Sequence, residues 1–153
     1  MLTNKRKKRK VLFLCTGNSC RSQMAEGLLR HLSEGRLEAC SAGLAPKEHI
    51  HPLAIKVMEE IGIDISGQKP KRVGTYLGKE TISFVITVCS KAEESCPRIW
   101  PGLAEANRLY WPFTDPAEAE GTEEETMTVF RQVRDQLKEK ISEWLNSHKF
   151  EKR

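Results

Sequence analysis

At 153 residues the chain is long enough for one domain with a substantial core and too short for two ordinary ones. With 39% hydrophobic and 30% charged residues, and no apolar run near the ~20 residues of a membrane span, it reads as neither disordered nor membrane-spanning. The net charge of +4 misleads until it is located, because Lys5 to Lys10 hold six of the 25 basic residues and leave 19 against 21 acidic ones. Residues 1–9 are therefore expected to be a solvated basic extension ahead of one domain over residues 10–148. A nucleic-acid or membrane-surface tail is the alternative for that run. No aromatic residue interleaves it, and the slightly acidic remainder suggests neither a nucleic-acid nor a membrane partner. The N-terminal charges have no apolar stretch behind them, so no secretory signal is read. The five cysteines are then expected to stay reduced, in the cytoplasm, and an odd count argues against a disulfide scaffold.

In chain order, Val11 to Cys15 (VLFLC) is a short apolar run suited to a strand buried on both faces. Ala25, Leu28, Leu29 and Leu32 then recur at helical spacing. Leu37 to Ala42, closed by Gly43, is a weaker strand. Leu53 to Ile61 is a helix ending at Gly62. Ile82 to Cys89 (ISFVITVC) is a clear strand, and Arg108 to Trp111 a short one. From Glu124 a long helix follows, with Phe130, Val133, Leu137, Ile141, Trp144 and Leu145 on one stripe. The alternation predicts an α/β fold, a single parallel-sheet domain with helices on both faces. Ligands of such sheets bind beyond the carboxyl ends of the strands, where Cys15 and Cys89 both fall.

Between the first strand and first helix lies Cys15-Thr16-Gly17-Asn18-Ser19-Cys20-Arg21-Ser22. Small residues let this loop curl so that its N–H groups face inward as an anion nest, reinforced by the helix start. Arg21 offers a planar fork for two oxygens of a tetrahedral oxyanion. Residues 16–21 are thus the candidate binding set for phosphate, arsenate or sulfate. Cys15 is placed to attack the central atom, helped by a thiol pKa that a helix end and an arginine lower. Ser22 is expected to donate to the resulting thiolate. Cys20 reads as a packing residue within the loop, and Cys40 as core of the second strand.

Cys89 and Cys96 flank Ser90-Lys91-Ala92-Glu93-Glu94-Ser95, where Ser90 and Glu93 form a capping-box pattern and Pro97 blocks continuation. If that helix forms, its rise sets the two cysteines roughly 10 Å apart, beyond the roughly 7 Å Cα separation that a disulfide tolerates. Bridging them requires the segment to unwind, which predicts a redox switch. The spacing is wider than a zinc knuckle and no second pair completes a metal site, so neither a metal nor a cofactor is expected. Two unrelated, inert cysteines are the remaining alternative.

The run VLFLCTGNSCRSQMAEG resembles the signature of the low-molecular-weight protein tyrosine phosphatases and of the arsenate reductases built on the same fold. The likeness in length and element order spans roughly residues 10–147. VCSKAEESCP is similar to the mobile two-cysteine segment of the reductases, which tyrosine phosphatases lack. The resemblance implies an arsenate reductase in which Cys15, Cys89 and Cys96 act in relay and thioredoxin restores the thiols, glutaredoxin or glutathione being the other routes. It makes Asp115, in the Asp115-Pro116 loop, the general acid. Ala117 stands where the phosphatases carry tyrosine. Some members bind potassium through positions matching Asn18, Glu26 and Ser41 plus an aspartate. Here that last position is Lys71, with Asp64 nearby, so a potassium requirement is not expected. His31, His49, His51 and His148 receive no role, and a monomer is expected. A phosphomonoester phosphatase is the alternative activity, and a non-catalytic oxyanion-binding redox sensor the second.

Overall fold

This computed structural model describes residues 8–95, 102–148 and 150. Strands β1 (Arg9–Cys15), β2 (Leu37–Gly43), β3 (Phe84–Thr87) and β4 (Arg108–Tyr110) form one wholly parallel sheet in the order β2-β1-β3-β4. The α-helices are α1 (Arg21–Leu32), α2 (Pro52–Glu59), α3 (Ser90–Ser95) and α4 (Glu123–His148). β1 is paired on both edges and covered on both faces, so Val11, Leu12, Phe13 and Leu14 are fully buried. This explains why its sequence is a continuous apolar run without alternation.

The two faces are covered unequally. Val11, Phe13 and Ile86 join the apolar sides of α1, α2 and α4 in the main core, where Phe130, Leu137 and Ile141 of α4 are completely buried. Each such large side chain contributes about 1.5–3 kcal/mol of burial. Leu12, Leu14, Cys40 and Val85 face the other way, onto Tyr76, Ile82 and the 3-10 turn Val73–Thr75.

Element ends follow local chemistry. α4 starts one residue before the predicted Glu124 because Thr122 and Glu125 form a reciprocal capping box, with N–H to side-chain distances of 3.1 and 3.2 Å. α2 runs over Pro52–Glu59, where the sequence suggested Leu53 to Ile61. Pro52 opens it, His51 Nδ1 accepts the Leu53 N–H, and Gly62 (φ 79°) closes it as Ile63 N–H reaches back to Met58 O. His51, given no role by the sequence reading, is thus the cap of this helix, and it also packs on Phe130. β3 is shorter than predicted, since its register with β1 stops at Thr87, and Val88 and Cys89 lead out toward α3. The basic run also needs correction at its end. Arg9 and Lys10 belong to β1, with Lys10 Nζ 2.5 Å from Glu80 and Arg9 4.6 Å from the Phe84 ring centroid. Residues 1–7 lie outside the described residues. Among the described residues no helix is long and apolar enough to cross a membrane.

Candidate active site

Parallel strands bring their carboxyl ends to one edge of the molecule, and the chemistry-bearing residues collect there. Cys15 ends β1, Gly43 ends β2, Cys89 lies two residues past β3, and Asp115 follows β4. The loop from Cys15 to Arg21 is held by its carbonyls. Cys15, Thr16 and Gly17 accept from the N–H groups of Leu44, Ala45 and Lys47, and Ser19 accepts from His51 N–H. The Asn18 carbonyl accepts from Gln23 Nε2. With five consecutive carbonyls turned outward, the intervening N–H groups turn toward the cavity, an anion nest of the kind the sequence predicts. Asn18 takes the left-handed conformation (φ 49°) that this curl requires.

The asparagine side chain is structural. Its amide donates to Ser22 Oγ at 2.7 Å and its oxygen accepts Lys71 N–H at 2.9 Å. By accepting from Asn18, Ser22 keeps its own hydroxyl proton for another partner. Gly43 has no room for a side chain, because a Cβ there would sit 2.6 Å from the Thr16 carbonyl and 3.0 Å from Asn18 Cβ. Gly43→Ala is therefore expected to displace the loop, costing about 1–3 kcal/mol of stability. Melting curves with and without phosphate check this: the variant should melt lower and gain less from the ligand.

A cavity of about 450 Å³ opens over the loop, walled by Cys15–Arg21, Lys47, Cys89, Phe113 and Asp115. Arg21 reaches across it, with Nη1 donating to Phe113 O at 3.0 Å and Nη2 lying 3.6 Å from Asp115 Oδ2. Its Nε is buried and has no partner among the described residues. Asp115 caps the 3-10 turn Pro116–Glu118, its Oδ1 accepting Ala117 N–H at 3.0 Å. The turn built by Pro116 thus aims the carboxylate at the loop rather than at solvent.

Cys15 and Cys89 both line this cavity, and each thiol shifts the other's proton affinity. The neighbouring Cys15 draws the Cys89 thiol below its ordinary range against the effect of burial. Thr16 Oγ1 at 3.5 Å, Ala92 N–H at 3.3 Å and the Arg21 charge act in the same direction. Cys15 is pushed up by the neighbouring Cys89 and by burial, against the pull of Arg21, which overturns the lowered thiol expected from the helix start and the arginine alone. The Ala92 bond also corrects the expected capping box, since the sulfur of Cys89, not the hydroxyl of Ser90, receives the third N–H of α3. Cys96 lies outside the described residues, and its separation from Cys89 with it.

The other cysteines are packing groups. Burial pushes the Cys20 thiol up to about 11 and the Cys40 thiol up to about 12. Cys40 donates to Val11 O on the sheet's second face. Lys71 stands beside Asn18, Glu26 and Ser41, its Nζ 3.9 Å from Glu26 Oε1, to which Ser41 Oγ donates at 2.7 Å. Asp64 instead turns its carboxylate to Ser66. The sequence reading missed Lys47 and Lys91 as wall residues. The signal for Lys47 was its place four residues beyond the end of β2, in a segment that a parallel sheet carries to this edge.

Residues 10–153 match the family described as low molecular weight phosphotyrosine protein phosphatase. An arsenate reductase of Shouchella clausii (strain KSM-K16) is 44% identical over 137 residues, covering 90% of this chain and 95% of the relative. The solved structure of an arsenate reductase in the phosphate-binding state superposes with a TM-score of 0.68 at 33% identity, over 91% of this chain and 98% of that one. A thioredoxin-dependent arsenate reductase of Corynebacterium glutamicum superposes with a TM-score of 0.64 at 28% identity, over 92% of this chain and 61% of that one. A family match over residues 10–153 and 44% identity across nearly the whole chain have one meaning: this chain belongs to the low molecular weight phosphotyrosine protein phosphatase family.

Proposed function

We propose that the chain is an arsenate reductase working through Cys15, Cys89 and Cys96 in relay. The observation that carries this reading is the placement of Cys15 and Cys89 in the same anion cavity. Phosphoester hydrolysis needs one thiol there, and a second in the same cavity is what a two-electron reduction requires. The names of the relatives, arsenate reductases at full-length coverage, support the same substrate.

The loop N–H groups and Arg21 hold arsenate, and the unpartnered Nε of Arg21 is a donor waiting for an oxyanion oxygen. Cys15 passes its proton to Cys89 and attacks arsenic as a thiolate while one arsenic–oxygen bond breaks, the departing oxygen leaving as water with a proton from Asp115. Cys89 then gives its proton to the Asp115 carboxylate and attacks the Cys15 sulfur as a thiolate. The sulfur–arsenic bond breaks with its electron pair on arsenic, so As(V) leaves as arsenite and the two cysteines become a disulfide. Cys96 next attacks Cys89, freeing Cys15, and an external dithiol reduces the Cys89–Cys96 bridge. Thioredoxin is proposed as that dithiol by likeness to the thioredoxin-dependent relative. The relay needs reduced thiols at rest, which places the enzyme in the cytoplasm, and it is taken to act as a monomer.

The test is NADPH consumption with arsenate, thioredoxin and thioredoxin reductase, expected in the wild type and absent from each of the three cysteine variants. Hydrolysis of an aryl phosphate without NADPH consumption would return the protein to the phosphatases. Asp115→Asn should lower kcat by about 10²–10³ with little change in KM, since proton transfer by a positioned acid is worth that much. An unchanged kcat removes the aspartate from the mechanism. Lys71 joins Arg30 as a cation that Glu26 faces, so exchanging potassium for sodium should leave the rate unchanged. In Lys71→Ala the rate should become dependent on potassium.

A further inference from the structure

The edge of the sheet opposite the anion loop carries a cleft of about 1120 Å³, between the starts of β1 and β2 and residues 79–83 ahead of β3. Five cations line it, Lys8, Arg9, Lys10, Arg30 and Lys79, against two carboxylates. Both carboxylates are already held by one of the cations, for Lys10 Nζ lies 2.5 Å from Glu80 and 3.7 Å from Glu38. Arg30 is engaged by Glu26 and Gln68. Lys8, Arg9 and Lys79 therefore carry the positive charge of the cleft, against the one carboxylate charge that Lys10 leaves over. Arg9 lies over the Phe84 ring, a contact that leaves guanidinium N–H groups available to an acceptor. In sequence this excess directly follows Lys5, Arg6 and Lys7.

The shape and lining select the ligand. A concave cleft does not mate with a flat lipid surface. Among the described residues no aromatic side chain lines it, so bases of a single strand have nothing there on which to stack. What remains to be recognised is closely spaced negative charge on a chain thin enough to enter. We propose that this cleft binds a flexible chain of phosphates through its charge, the source being inorganic polyphosphate or a nucleic-acid backbone.

The experiment uses the full chain, titrated by fluorescence anisotropy against labelled inorganic polyphosphate, against a labelled oligothymidylate and against anionic phospholipid vesicles. Polyphosphate should bind, and its affinity should fall about 20-fold between 50 and 200 mM salt, as three matched phosphates require. The double variant Lys8→Glu with Lys79→Glu, at two exposed positions, should weaken binding at least about tenfold. Its melting temperature and arsenate turnover should stay unchanged. Oligothymidylate that competes with polyphosphate and weakens in the same variant supports the shared chemistry and adds nucleic acid as a source. Oligothymidylate that does not compete assigns the cleft to inorganic polyphosphate. No binding of either chain, binding indifferent to the double variant, or capture by vesicles alone overturns the proposal.

Discussion

Cys15→Ser is expected to abolish arsenate reduction, a loss of at least about 10⁴-fold in a coupled assay, because the residue supplies both nucleophile and electrons. A hydroxyl at this position is not ionised at neutral pH and cannot join a disulfide, so no other group completes the two-electron step. Anion binding should survive. The loop is positioned by its carbonyl bonds to residues 44–51 and by Asn18, none of which uses the Cys15 sulfur. Calorimetric titration with phosphate should therefore give an affinity near that of the wild type. Arsenate-dependent NADPH consumption persisting in the variant would exclude Cys15 as the nucleophile.

Cys96→Ser should release one arsenite per protein and then stop, with steady-state turnover down by about 10² or more. The reason is access. Cys15 and Cys89 are each only 3% exposed, so a disulfide between them is shielded from any external dithiol. Peptide mapping of the stalled protein should find Cys15 joined to Cys89. The same trapped state should show faster amide exchange across residues 90–95. Its cause is that the Cys89 sulfur now capping α3 loses its thiolate character on oxidation, and a lost N-cap costs about 1 kcal/mol. Sustained turnover in Cys96→Ser would sink the relay, and unchanged exchange would detach α3 from it.

Much of the site was legible before the structure because its signals are local. The curl of the anion loop needs small residues and Asn18 next to a strand end, and these stand together in eight positions. The helical stripe of α4 and the apolar run of β1 are equally local, each fixed by one periodicity. Side-chain partners were less legible. Ser22 and Asn18 are four residues apart in both descriptions, yet only the packed structure shows the serine accepting from the asparagine. The α3 cap passed from Ser90 to Cys89 for a similar reason, since which atom reaches the Ala92 N–H depends on where the chain leaves β3.

The sequence by itself determined the alternating α/β architecture, the anion loop with its thiol and arginine, and the spacing of the two later cysteines, because each depends on residues near one another in the chain. Only the tertiary structure decided that Cys89 meets Cys15 and that Asp115 meets Arg21. It also decided that Lys71 faces Glu26 and that a basic cleft opens at the far edge of the sheet. These pairings join residues from about 45 to 94 positions apart, and strand order and register, not local pattern, determine which of them touch.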